Sequence, residues 1–385
     1  MLSAPLETRR NLLLIGGGHA HVAVVKAFAD HPLPQVCLTL LSQHRMAPYS
    51  GMVPGLIAGH YQVEESHIDL PRLCERADAS FEQTRVTGLD LANKEARVSG
   101  GHAPIRFDLV SVNTGSTPGD GGLAGVSEHG IPVKPISQFL KGWERLMDRV
   151  TRDPAAPMRV VVVGGGAGGV ELALAVQHRL VSLVSERDVR ADVIQVTLVS
   201  ASEVLVPMHN RWVQAKLNRI LRERRIRSLL SQRVVEVTSR SVRCDSGVEV
   251  PFDALFWATT ASAPGWIQES GLRADAQGFL GVNECYQSLS HAFVFAAGDV
   301  ASAIHNPRPK SGVFAVRQGP LLALNLRRAL QGEALVPLKL QMRFLSLIGT
   351  GDRHAVGSRG KLAFEGRWVW WLKDWIDRRW IKQYA

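Results

Sequence analysis

The chain has 385 residues, 45% of them hydrophobic and 21% charged, with a formal net charge of +10. The composition is globular, without a low-complexity tract, and the length allows two or three domains, each with its own core. No uninterrupted apolar run is long enough to cross a bilayer. The basic residues are dispersed and no nucleic-acid-binding motif accompanies them, so anionic cofactors or an anionic membrane surface explain the charge more simply than nucleic acid.

In chain order the first signal is LLLIGGGHAHVA, residues 12–23. The Arg9-Arg10 pair ahead of it has the look of an export signal, but the apolar run that follows is the strand of a glycine loop, so fold accounts for it and the chain reads as intracellular. Strand 12–15, helix 20–29 and strand 36–41 make a βαβ unit. FDLVSVNTGSTP, residues 107–118, is a strand running into Thr114-Gly115. VVVVGGGAGGVE, residues 160–171, then opens a second unit of strand 160–163, helix 168–184 and strand 194–199.

Branched apolar residues followed at once by glycines read as a buried parallel strand that breaks into a tight turn and opens a helix. In Gly164-x-Gly166-x-x-Gly169 the first glycine makes the turn, the second lets backbone approach a pyrophosphate, and the third lets helix pack on strand. The phosphate then sits on free N–H groups at the helix N-terminus. Two such loops imply two dinucleotides. FDALFWATTASAP, residues 252–264, echoes 107–118, and HAFVFAAGDVA, residues 291–301, is an apolar strand that delivers Gly298 and Asp299 at its carboxyl end, where open α/β sheets bind ligands. Residues 311–330 read as a helix. The cysteines, Cys37, Cys74, Cys244 and Cys285, form no C-x-x-C or C-x4-C pair, which indicates neither a structural zinc nor a local redox disulfide.

The expected class is α/β, with two Rossmann-like dinucleotide-binding domains, one inserted in the other, and a short C-terminal extension. These motifs, in this order, resemble the pyridine-nucleotide–disulfide oxidoreductase superfamily. GGGAGGVELA (residues 164–173) is similar to the loop of its type II NADH dehydrogenase branch. RMAPYSGMVPGLIAGHY (45–61) and KSGVFAVRQGP (310–320) are similar to the flavoprotein module that some bacteria fuse ahead of selenide, water dikinase, although no dikinase domain follows here. The resemblance implies an FAD domain over residues 1–150 and 273–332, an NAD(P)H domain over 151–272, and an extension over 333–385. It places FAD on Gly16, Gly18 and Asp299, the last holding the ribityl chain, and NAD(P)H on Gly164, Gly166, Gly169 and Glu171.

Four departures from the pattern matter. His21 stands where the first loop usually has its third glycine, and Ser42 ends the second strand where an acidic residue usually holds the adenosine ribose. Imidazole can donate to a phosphate, so His19 or His21 is expected to compensate; a His-x-His metal site is the rival reading, but no third ligand accompanies the pair. In the second domain the acidic position is Ser200, with no arginine in its place, which removes the usual basis for preferring NADH over NADPH. Thr260 also replaces a usual glycine.

The resemblance implies hydride transfer from nicotinamide to flavin, for which the protein supplies alignment and electrostatics. It places residues 310–319 at the flavin edge that gathers negative charge, where a helix N-terminus near Ser311 and Gly312, with Lys310 beside it, offers positive charge. An ordinary cap at Ser311 and a solvated Lys310 are the alternatives. Glu171 is expected beside the nicotinamide, unless it only answers the helix dipole. Pro48 and Tyr49 match the segment lining the flavin, where Tyr49 serves packing or chemistry.

The tail, EGRWVWWLKDWIDRRWIKQYA, holds five of the nine tryptophans. On a helix Trp368, Trp371, Leu372, Trp375 and Ile376 share one face and Lys373, Asp374 and Asp377 lie opposite, with Arg379 and Lys382 placed to snorkel. The stretch is too short and too charged to span a bilayer but suits its interface; packing on the flavin domain or in a homodimer interface is the alternative. The expected function is FAD-dependent transfer of electrons from NAD(P)H to a small acceptor, a quinone, by a cytoplasmic protein peripheral to the inner face of the cell membrane. A flavoprotein of selenium or sulfur metabolism and a non-catalytic nucleotide sensor are the rivals.

Overall fold

The computed structural model describes residues 9–118, 123–259, 261–303, 312–338 and 345–385. Two five-stranded sheets organise them. The first runs Val294–Ala296, Leu109–Val112, Arg10–Ile15, Val36–Ser42 and Ser80–Gln83, every neighbouring pair parallel. The second runs Ile131–Pro132, Ala254–Trp257, Met158–Val163, Ile194–Val199 and Arg227–Leu229, again all parallel. Each glycine-loop strand is central in its sheet. Both of its faces are covered, so Leu12 to Ile15 and Val160 to Val163 are all buried, and an unbroken apolar run takes the place of alternation. Arg10 is the first residue of its strand.

The repeated Phe-Asp pair has a physical reason. Asp108 accepts from the backbone N–H of Asn11 at 2.6 Å and Asp253 from that of Arg159 at 2.9 Å. Each aspartate thus anchors the start of the glycine-loop strand beside it. Beyond their strands the two echoing segments meet, Thr117–Pro118 running antiparallel to Ala261–Ser262.

The second sheet is nested within the first. Its strand Ile131–Pro132 and its helix Ile136–Arg152, which buries Phe139, Trp143, Leu146 and Val150, precede its glycine loop. The chain returns to the first sheet at Val294–Ala296, and helix Gly312–Gln331 then packs along helix His19–Asp30. Gly319 lets those helices pack tightly, since a Cβ there would stand 2.6 Å from that of Ala23.

The extension holds more than a helix. Leu345–Gly349, Ala355–Arg359 and Leu362–Gly366 form an antiparallel meander that gives Ile348 and Val356 to the second core. The tail helix, Arg367–Ile381, follows it, and Ile381 and Tyr384 join the first core. No helix among the described residues is long and apolar enough to cross a membrane.

Candidate active site

The loops at the carboxyl ends of both sheets line one continuous cleft of about 1950 Å³. Single small-molecule pockets run to ~1,000 Å³ at most, so this one has room for two large ligands. Gly16, Gly18, His19, Pro48, Tyr49, Thr114, Gly115, Gly298 and Asp299 line it from the first sheet, and Gly166, Gly169 and Glu171 from the second. Of the other expected site residues, Gly164, Ser200 and His21 lie behind its wall. Gly312 begins its helix as expected, whereas Lys310, Ser311 and Thr260 lie outside the described residues.

Asn113, which sequence reasoning passed over, organises the first loop. Helix His19–Asp30 has no side-chain cap of its own, because its N-cap is Gly18. Asn113 supplies one from the neighbouring strand, its Oδ1 accepting from the N–H groups of Ala20 (3.1 Å) and His21 (3.2 Å). Its Nδ2 donates to the Ala297 carbonyl at 2.7 Å, tying in the strand that delivers Asp299. A Cβ on Gly18 would stand 2.2 Å from Oδ1, and one on Gly16, whose φ is +96°, 2.6 Å from the Asn113 carbonyl. The only sequence signal was an asymmetry in the echo: Gly164 packs on Ala258 where Gly16 packs on Asn113.

His21 does not reach a phosphate site, contrary to expectation. It is fully buried, Nδ1 donating to the Gly16 carbonyl at 2.7 Å and Nε2 accepting from Ser111 Oγ at 2.8 Å. Burial lowers its pKa to about 3, which keeps this neutral tautomer. In the second loop a Cβ on Gly169 would come within 2.0 Å of the Gly164 carbonyl. The first loop satisfies the corresponding carbonyl with an imidazole, so its third glycine is dispensable. His19 does line the cleft, edge-on to Tyr49 and Trp380 and 3.3 Å from the Pro48 carbonyl. Burial brings its pKa down to about 4, so at neutral pH it offers dipoles, not charge.

Ser200 is buried beneath the second loop, its Oγ 2.3 Å from where a Cβ on Gly165 would be. Gly166 has no atom within 4 Å of its Cβ position, so this loop is open where the first is pinned. Glu171 lies past the first turn of helix Ala167–Ser185 and accepts from the Gly349 N–H at 2.7 Å, which disposes of a role confined to the helix dipole. Burial raises its pKa, with Lys373 and the Gly349 N–H pulling the other way.

Sequence reasoning also passed over Lys134, and placed Lys373 on the polar face of the tail without giving it a part in the site. Lys134 pairs with Asp299 at the cleft wall. Lys373, on the tail helix, donates to Asp377 (2.7 Å) and to the Gly51 carbonyl (2.6 Å). Burial pulls its pKa down, but Asp377 and Glu171 outweigh that and hold it above the usual lysine value. Tyr49 stacks on Trp380 with centroids 4.1 Å apart, and burial together with Asp377 pushes its hydroxyl well above the ordinary tyrosine value. The polar face of the tail helix therefore points into the cleft. Trp368, Trp371 and Trp375 on the opposite face are each more than half exposed.

The sequence pattern of the pyridine nucleotide-disulphide oxidoreductases matches residues 10–319. The chain belongs to that family. It is 20% identical to a type II NADH:quinone oxidoreductase of Staphylococcus aureus across 97% of this chain and 95% of the relative. Among solved structures, NDH2 from Plasmodium falciparum in complex with NADH has a TM-score of 0.83 at 13% identity, covering 98% of this chain and 97% of that one. The sulfide:quinone oxidoreductase of Aquifex aeolicus has 0.81 at 17%, covering 97% and 91%. These structures show the shared fold.

As a family member the chain is an oxidoreductase whose cofactors are FAD and a pyridine nucleotide. The site fits both: each loop bares backbone that a side chain would cover, and the cleft joins them. Asp299→Ala is expected to lower flavin occupancy several-fold while the protein stays folded, because the lost carboxylate serves the cleft and its partner Lys134 is solvent-accessible. The ratio of flavin to protein absorbance, with a melting curve, checks it.

Proposed function

We propose that this chain is an NAD(P)H:quinone oxidoreductase that works docked on a membrane surface. The observation that carries the reading is the two-faced tail helix. Lys373, Ile376, Asp377 and Trp380 close one side of the cleft, while three indoles lie bare on the other face beside Arg379, whose guanidinium sits over the Trp375 ring. An interfacial helix of this kind would open the cleft toward the layer in which quinone dissolves. FAD, when bound, supplies the two-electron relay between nicotinamide and acceptor. The chain's own part is to hold both cofactors on the two loops, exclude water with the tail helix, and present Glu171 and Lys373 to the reacting end. The docked protein is then cytoplasmic and peripheral to the inner face of the cell membrane.

None of the four cysteines lines the cleft, and burial raises the thiol pKa of Cys74, Cys244 and Cys285, Cys74 to about 12. Thiol-based sulfur or selenium chemistry therefore has no nucleophile at the site. Steady NADH oxidation by the purified protein with a short-chain quinone tests the reading. Turnover restricted to sulfur or selenium acceptors contradicts it, and no turnover with any acceptor favours a sensor.

Nucleotide choice follows from the second loop. Ser200 is covered, and neither a carboxylate nor a cation replaces it at the strand end. We expect kcat/KM for NADH and NADPH to differ by less than about a hundredfold, under ~3 kcal/mol. Steady-state kinetics with both nucleotides measures this; a larger ratio would mean that another residue reads the 2′ position.

A further inference from the structure

Glu171 faces two spaces: the cleft, and a separate small cavity of about 10 Å³ behind it, which is lined also by His60, Tyr61 and Lys373. That is about the space one water molecule needs, and the lining offers several polar partners. The loop at residues 349–351 holds both ends of this arrangement. The Gly349 N–H donates to Glu171 at 2.7 Å, and the Gly351 carbonyl accepts from His60 Nε2 at 2.8 Å. Gly351, with φ +86°, lies so close to helix Ala167–Ser185 that a Cβ would stand 2.8 Å from the Leu174 carbonyl and 2.9 Å from the His178 Cβ. His178, two turns beyond Glu171 on that helix, comes within 5.8 Å of His60, ring centre to ring centre. Both imidazoles are half-buried. From Glu171 the cavity leads to His60, and His178 lies beside His60, both rings being partly exposed.

We propose that His60 carries protons between solvent and Glu171 through this cavity, feeding the reduction of the acceptor. The inference rests on the quinone reading. Reduction of a quinone to its quinol takes two electrons and two protons; the hydride of NADH brings both electrons and one proton, and the second proton comes from water. With Nε2–H held by Gly351, the proton is gained and lost at Nδ1. Burial holds His60 below the ordinary imidazole value; among its charged neighbours Arg353 lowers it further, while Asp352 and Asp374 raise it. His178 is held low by burial and by His60, with Arg224 and Arg179 adding to this and Asp352 opposing. Both rings are therefore held toward the neutral form, which can accept a proton.

The test uses the flavin-loaded protein and His60→Gln, whose amide can still donate to Gly351 but cannot carry a proton; His60→Ala serves as the second variant. With a short-chain quinone in weak buffer above pH 7, kcat should fall at least roughly tenfold. With ferricyanide, two equivalents of which take the electrons while the hydride's proton is released and none has to be delivered, the rate should stay within about twofold, and added imidazole should restore the quinone rate of His60→Ala. In the folded wild type, NMR of labelled imidazole should show the His60 ring titrating below the midpoint of a free imidazole. Equal loss with both acceptors, an unchanged quinone rate, a failure of imidazole rescue, or a ring that does not titrate would each overturn the proposal. Wild type that turns over ferricyanide but no quinone would instead overturn the quinone reading on which it stands.

Discussion

Asn113→Ala is expected to cost about 3 kcal/mol of stability and most of the bound flavin. The substitution removes the cap of the first nucleotide helix and orphans three backbone groups, the N–H groups of Ala20 and His21 and the carbonyl of Ala297. A lost cap costs ~1 kcal/mol, and buried groups left unpaired add ~1–3 kcal/mol more. The flavin suffers beyond this because Asn113 fixes Gly16, Gly18 and the Asp299 strand against one another. Asn113→Asp separates the two roles: it keeps the acceptor, loses the donor to Ala297, and sets a negative charge where a pyrophosphate is to bind. It should be less destabilising than the alanine yet at least as poor in flavin. Thermal melts and the flavin-to-protein absorbance ratio check both variants, and an alanine variant with full flavin would remove Asn113 from the account.

The second large effect is on membrane docking. Trp368→Ser, Trp371→Ser and Trp375→Ser together should reduce co-sedimentation with anionic liposomes more than a hundredfold, since reburying each half-exposed indole contributes about 1.5 kcal/mol. Flavin content and ferricyanide reduction should be unchanged, because none of the three side chains reaches the cleft. Deleting the whole helix is a poorer test. It would also strip Lys373, Asp377 and Trp380 from the cleft, and Val369 and Ile381 from buried positions. Liposome binding that survives the triple substitution would place the docking surface elsewhere.

The parallel strands and both nucleotide helices were legible because burial on two faces forces unbroken apolar runs, and the glycines that end those runs punctuate them. The meander of residues 345–366 was not. Its strands are five residues long, and Ala355–Arg359 contains Gly357, which ordinarily argues against a strand. Here the missing side chain makes room for the Phe364 ring, 2.1 Å from where its Cβ would be, a tertiary reason that no local pattern carries. The site divided in the same way. The glycines and Asp299 could be singled out because their spacing is local, whereas Asn113 and Lys134 act through partners distant in sequence, and Lys373 through distant Gly51 as well as neighbouring Asp377. His21 was misjudged for a related reason: its ring serves a carbonyl five residues back inside the fold. The helical spacing of the tail separated the exposed indoles from Lys373 and Asp377, but did not show that the polar side points inward, nor that Ile376, assigned to the indole face, lines the cleft beside them.

Passage of electrons from a nicotinamide through flavin to a quinone at this cleft is the proposal from which the other expectations follow. The most direct measurement is anaerobic: the purified protein is mixed with one equivalent of NADH while its visible flavin absorbance is followed, and a short-chain quinone is then added. NADH should bleach the flavin and quinone should restore its absorbance, each at least as fast as steady turnover. A flavin that NADH does not bleach, or one that stays bleached in the presence of quinone, would contradict it.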